Sequence, residues 1–267
     1  MTGASLTIQS EPVIGLQIRA LATRSVLRMI RSPATLVPTL VFPIFLLAVN
    51  VGGLDSATEL PGFPTDSYLT FALAFTFIQS AIFSTMNAGQ AVSQDIENGF
   101  FDRLVLTPMR PSALMVGQLT GLALLGVFQA FFYLTIGLVF GADFAAGPAG
   151  VGVLLLLVII ISLGFGGIGL IMALKTGSSE AVQGMFPLMF VLLFFSSMAL
   201  PRDLIETAWF RTITDLNPVS YLIEALRSLM ITGWDPPVLA AGFASAIVRA
   251  FLTISIAAKL LSGRMDR

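Results

Sequence analysis

Long apolar runs separated by short polar interruptions organise this chain. Six stretches stand out: 34–51, 67–92, 112–140, 149–174, 181–200 and 238–261. A helix needs roughly 20 apolar residues to cross a hydrocarbon core of about 30 Å, so each stretch predicts one membrane-spanning helix. The alternating segments of a membrane barrel are missing from the pattern. Backbone polar groups must then be satisfied within helices, and the expected fold is an all-α integral membrane protein with six spans. The chain divides into a cytoplasmic N-terminus, 1–33, a six-span domain, 34–262, and a tail, 263–267.

Two further segments carry a helical pattern without being apolar enough to cross. Between Val13 and Arg31, Ile14, Ile18, Leu21, Ala22, Ser25 and Met29 share one helical face, while Gln17, Arg24, Arg28 and Arg31 share another. Pro33 ends the pattern, which predicts an amphipathic helix in the inner membrane interface. The second segment joins spans two and three. There Ile96, Phe100, Leu104 and Val105 form an apolar stripe opposed by Glu97, Asp102 and Arg103, and Thr107-Pro108 stops it. A connector between spans needs only a few residues, so this one predicts a short amphipathic helix able to press into a groove on another protein.

Charge fixes the expected orientation. Only 11% of residues are charged against 56% apolar, and mean hydropathy is +0.91. Arg19, Arg24, Arg28 and Arg31 precede the first span, whereas the following loop, 52–66, holds Asp55, Glu59 and Asp66 and no basic residue. Basic residues mark the cytoplasmic side, so both termini are expected inside, with Lys259, Arg264 and Arg267 in agreement. Arg202, Arg211 and Arg227 in the outer segment dissent, although acidic neighbours outnumber them. Trp209 and Trp234 fall in that outer segment, as interfacial anchors do. No cleavable signal peptide is visible, and the first span is expected to stay as its own anchor.

Candidate chemistry is mostly excluded. Neither cysteine nor histidine occurs, which removes thiol and imidazole nucleophiles, disulfides and almost every transition-metal site. Gly164-Phe165-Gly166-Gly167-Ile168-Gly169 fits a dinucleotide fingerprint, and 169–176 approaches a phosphate-binding loop. Both lie in an apolar span with no strand before them, so the glycines are read as places where membrane helices approach closely. Gly117 and Gly121 have the same explanation. The chain has no ATP site of its own.

The stretch Asp95 to Pro108 followed by Pro111 to Gln118 resembles the permease subunits of type-2 ABC exporters, especially the daunorubicin-resistance and nodulation-factor branch, with their D/E-x-x-x-G-x-x-x-R-L-x-x-x-P signature. Ser196-Ser197-Met198-Ala199-Leu200-Pro201 and Leu216-Asn217-Pro218-Val219-Ser220-Tyr221 support the likeness. That resemblance implies two permeases, each bound to a cytoplasmic ATPase subunit that holds ATP and Mg, driving alternating access. It implies that Asp95, Ile96, Glu97, Gly99, Phe100, Phe101, Asp102, Arg103 and Leu104 form the coupling helix, beside a connecting helix bearing Arg24, Arg28 and Arg31. It also implies short re-entrant helices over 204–229, broken at Asn217-Pro218, and a path lined by the second and fifth spans in a bacterial cytoplasmic membrane.

Within those spans, Phe71, Phe75, Ile78 and Ile82 run along one face with Gln79, Asn87 and Gln90 nearby, and Phe186, Phe190 and Phe194 recur at four-residue spacing. Aromatic rings accept varied apolar shapes, which suits an amphipathic substrate such as a drug, lipid or glycolipid; a polysaccharide-type substrate is the alternative. Phenylalanine stripes also pack against lipid or neighbouring helices. Pro38, Pro43 and Pro187 predict kinks. Arg249, near the middle of the sixth span, is expected to face protein or a wet cavity. An ion-coupled transporter would need acidic groups within the membrane, and every Asp and Glu maps to a loop or terminus. A membrane-embedded enzyme using Asp203, Glu206, Asp215 and Glu224 is the remaining rival; a solvated rim with a Glu224 to Arg227 helical pair is the plainer account of them. No nucleic-acid partner is expected.

Overall fold

The structure is a computed structural model that describes residues 33–99 and 111–265, together with isolated positions between Gly15 and Arg31. Its described elements are helical. Helix α1 spans Pro33–Leu54, α2 Tyr68–Glu97, α3 Pro111–Val139 and α4 Gly147–Thr176. Then come two short helices, α5 (Ser179–Gly184) and α6 (Phe186–Phe194), followed by α7 (Ala208–Leu216), α8 (Pro218–Ile231) and α9 (Pro236–Met265). Single 3₁₀ turns at Asp55–Glu59 and Arg202–Leu204 complete the described elements.

Among the described residues, five helices are long and apolar enough to cross a membrane: those of spans one, two, three, four and six. The expected fifth span, 181–200, is not one continuous helix. Gly184 and Met185 end α5, Pro187 occupies the first turn of α6, and the helix stops at Phe194. Proline removes a backbone donor and is tolerated where a new helix begins, which is why the break falls there. Together the two pieces cover Ser179–Phe194, shorter than a full crossing. By contrast α1 runs as one helix through Pro38 and Pro43.

Helix α2 is the hub, packed against α1, α3, α4 and α8. Over its most apolar stretch 94% of the residues are buried, against 17% for α1. Lipid is as apolar as leucine, so such packing comes from close contact and interhelical hydrogen bonds rather than from escape from water. Glycines supply the contact. A side chain at Gly169 would collide with the carbonyl of Thr85, and one at Gly89 would lie 2.5 Å from Val182. Gly166 faces Leu122 of α3, while Gly164 and Gly167 face Ala250 and Thr253 of α9. The fingerprint-like glycines therefore serve helix approach in three directions. Thr85 Oγ1 donates to Phe165 O at 2.9 Å and Thr253 Oγ1 to Gly164 O at 3.1 Å, tying the same seams.

Candidate functional site

At one end of α2, Asp95, Ile96 and Glu97 form the last helical turn rather than the start of a separate helix. Asn98 follows, and Gly99 turns the chain at φ +64°, a conformation suited to glycine. Asp95 is buried and accepts from Arg24 Nη2 at 2.8 Å, so it faces the bundle and the N-terminal segment. Glu97 Oε1 accepts from the backbone N–H of Ser179 at 2.8 Å, joining α2 to the first residue of α5. Ile96 reaches Gly177, the left-handed cap of α4, and Arg264 Nη1 of α9 donates to Leu174 O at 2.8 Å in that last turn of α4. Arg31 is exposed. Arg28, Phe100, Phe101, Asp102, Arg103 and Leu104 lie outside the described residues.

The opposite end is held by a residue that the sequence pattern counts as a loop charge. Arg227, in α8, is buried. Its Nε donates to Phe71 O at 3.3 Å, and its Nη2 donates to Ser197 O at 3.0 Å and Met198 O at 3.3 Å. Its guanidinium also lies 3.5 Å from the centroid of the Phe71 ring. A buried charge is tolerable when its donors are satisfied, and arginine's planar fork suits several carbonyls at once. Around it, Arg202 Nε lies 2.6 Å from Glu224 Oε1, Tyr68 OH donates to Ala199 O at 3.2 Å, and Phe63 packs on Tyr68 and Phe71. The expected solvated Glu224 to Arg227 pair takes another form: Glu224 lies between Arg202 and Arg227 as a charge partner of both, and Arg227 is turned inward.

Asn217 explains the break between α7 and α8. The residue before proline favours extended backbone, and Asn217 has φ −77° and ψ 115°. Its side chain caps α8 by accepting from Val219 N at 2.9 Å and donates to Leu192 O and Phe195 O, the free carbonyls at the end of α6.

Between the two ends, α2 leaves one stripe incompletely covered: Phe83, Asn87 and Gln90 are half-buried and Gln94 is exposed. Phe83 lies 5.8 Å from Phe42 of α1 and 5.3 Å from Phe186 of α6. Phe190 lies 5.9 Å from Phe42 and 4.7 Å from Phe186, and Phe194 follows at 6.2 Å from Phe190. The structure therefore brings Phe186, Phe190 and Phe194 together, adds Phe42 and Phe83, and leaves Asn87 one turn after Phe83 on the same stripe of α2. It does not bring Phe71, Phe75 or Gln79 to this face. All three are buried inside the bundle, so none lies in the incompletely covered part of α2. Arg249 faces protein, its guanidinium 4.6 Å from the Phe165 ring of α4, away from the aromatic cluster. No charged residue occurs in α1, in α6, or in α2 before Asp95. Among the described residues no three acidic side chains converge as metal ligands would.

Residues 16–231 match the family model described as ABC-2 type transporter. The chain belongs to that family. It is 30% identical over 168 residues to the daunorubicin resistance ABC transporter permease protein DrrB1 of Streptomyces coeruleorubidus, covering 62% of this chain and 59% of that relative. It is 26% identical over 215 residues to the putative transport permease ycf38 of Pyropia yezoensis, covering 80% and 73%. The corresponding protein of Porphyra purpurea is 25% identical over 222 residues, covering 82% and 76%. The daunorubicin-resistance branch expected from the signature is thus among its relatives, and the chain is the membrane subunit of an ABC transporter. The permease's matched region takes in both ends of α2 and the aromatic cluster between them.

Proposed function

We propose that the permease exports an amphipathic molecule, a drug, lipid or glycolipid, from the cytoplasm or inner leaflet, driven by ATP hydrolysis in separate cytoplasmic ATPase subunits. Two permease copies and two ATPase copies make the working unit, and ATP and Mg are held by the ATPases. The observation that carries this reading is the Asp95 end of α2. There one helical turn bonds the N-terminal segment through Asp95 and the start of α5 through Glu97, immediately before the 98–110 segment. A push on that segment from a bound ATPase reaches three parts of the bundle together.

In this reading the Asp95 end faces the cytoplasm of a bacterial cell and the Arg227 end faces outward. The α5–α6 segment makes a sixth crossing, because it begins at Ser179, bonded to Glu97, and leads to Ser197, bonded to Arg227. Both termini are then inside, and α7 and α8 dip into the outer leaflet. Substrate passes along the stripe of α2 facing α1 and α6. Phe42, Phe83, Phe186 and Phe190 offer rings to its apolar body, and Asn87, Gln90 and Gln94 offer neutral hydrogen-bonding groups to its head.

The test is reconstitution of the permease with a candidate ABC ATPase subunit. Reversal of charge at Asp102 and Arg103 is expected to leave insertion intact while ATP turnover no longer supports transport of daunorubicin or a fluorescent lipid. Failure of any ATPase to co-purify, or normal transport by that variant, contradicts the coupling assignment.

A further inference from the structure

The cluster at the Arg227 end joins three elements of the bundle. Arg227 belongs to α8. Its acceptors are Phe71 in the first turn of α2 and Ser197 and Met198 in the segment that follows α6. Two more bonds cross the same seam: Tyr68 OH to Ala199 O at 3.2 Å, and Ser197 N to Ser220 Oγ at 3.3 Å. If α2 and α6 border the path, as proposed above, their outward ends must part to release substrate, and these bonds are what holds them.

An arginine fits such a duty better than a leucine. In the closed arrangement its donors are met by carbonyls and its face by the Phe71 ring. Once the seam opens, water takes the place of those partners, so the guanidinium's donors are met in both states. A purely apolar contact would be satisfied only when closed. The carbonyls of Ser197 and Met198 lie beyond the end of α6, in non-helical chain, so releasing them breaks no helix.

We infer that Arg227, with its carbonyl acceptors on Phe71, Ser197 and Met198, is an outward latch, closed in the conformation described here and opened once per transport cycle. This rests on the export reading above. The permease has no cysteine, so single and paired cysteines report on the seam without background. Met198 is buried in the closed arrangement. With the ATPase bound, Met198→Cys is expected to react with a membrane-impermeant maleimide added outside at least tenfold faster after trapping with ATP and vanadate than without nucleotide. A Ser197→Cys/Ser220→Cys pair, oxidised to a disulfide, is expected to cut the ATP turnover of the complex at least fivefold, with recovery on reduction in the same sample, which controls for folding. Unchanged labelling, or full turnover by the cross-linked pair, overturns the latch while leaving the export reading in place. Absence of any bound ATPase overturns the reading itself.

Discussion

The two ends of α2 are fastened by opposite chemistry. At the Arg227 end a buried cation from α8 reaches carbonyls of α2 and of the chain after α6. At the Asp95 end two anions carried by α2 itself reach Arg24 and the N–H of Ser179. The first is closed over by protein, with Arg227 6% exposed. The second is open on one side only, with the Arg24 side chain 36% exposed and that of Asp95 4% exposed. Burial raises the cost of breaking a charge-assisted bond, and a partner open to water lowers it. The Arg227 end therefore holds the closed conformation, and the Asp95 end is placed to transmit.

Breaking the comparison starts where the cost is largest. Arg227→Glu places an acid against three carbonyls and is expected to destabilise the folded permease by about 3 to 5 kcal/mol or more, the cost of disrupting a buried charge network. The thermal midpoint in detergent reads it, and Arg227→Lys should fall part-way because a single ammonium cannot reach all three acceptors in one plane.

Next comes the α2–α4 seam on which both ends depend. Gly169→Val drives a side chain into the Thr85 carbonyl and should cost about 1 to 3 kcal/mol through forced separation of the helices. Gly184→Ala, with nothing within 4 Å of the added carbon, should leave the midpoint almost unmoved. Equal effects at the two glycines would mean that helix approach is not what Gly169 provides.

At the Asp95 end the expected effects on stability are small and those on coupling large. Asp95→Asn should cost about 1 kcal/mol because it keeps an acceptor for Arg24 while removing a charge from a buried site. ATP hydrolysed per molecule transported should nevertheless rise severalfold. Glu97→Gln is the mildest change, retaining a carbonyl that can accept from Ser179 N, and should fall between wild type and Glu97→Ala in coupling. A fall in thermal midpoint as large as that of Arg227→Glu would erase the distinction between the ends.

The apolar runs were legible because a membrane imposes a length on every crossing helix, and five of the six expected spans are present as long helices. The glycines 164–169 were legible as packing residues because an apolar span leaves a phosphate loop no context. Pro187 announced a kink, but how far it would shorten the helix depended on α6 ending at Phe194, where Asn217 takes the free carbonyls. Arg227 could not be read: a rule that weighs Lys and Arg by position treats a charge beside Asp and Glu as solvated, and nothing in Ile223 to Ser228 says that its neighbours will close over it. Likewise, four-residue spacing placed Phe71 and Phe75 on a common face without saying whether that face meets α8 or an open groove. Phe83 carried a usable signal, standing one turn before Asn87.

The most direct measurement is the side of the membrane on which each end of α2 lies. In intact cells, Asn98→Cys and Asp203→Cys each become the sole thiol of the chain, and Asp203 is 93% exposed at the Arg227 end. An impermeant maleimide is expected to label Asp203→Cys readily and to label Asn98→Cys only after the cells are opened. Labelling of Asn98→Cys from outside, with Asp203→Cys protected, would contradict the account.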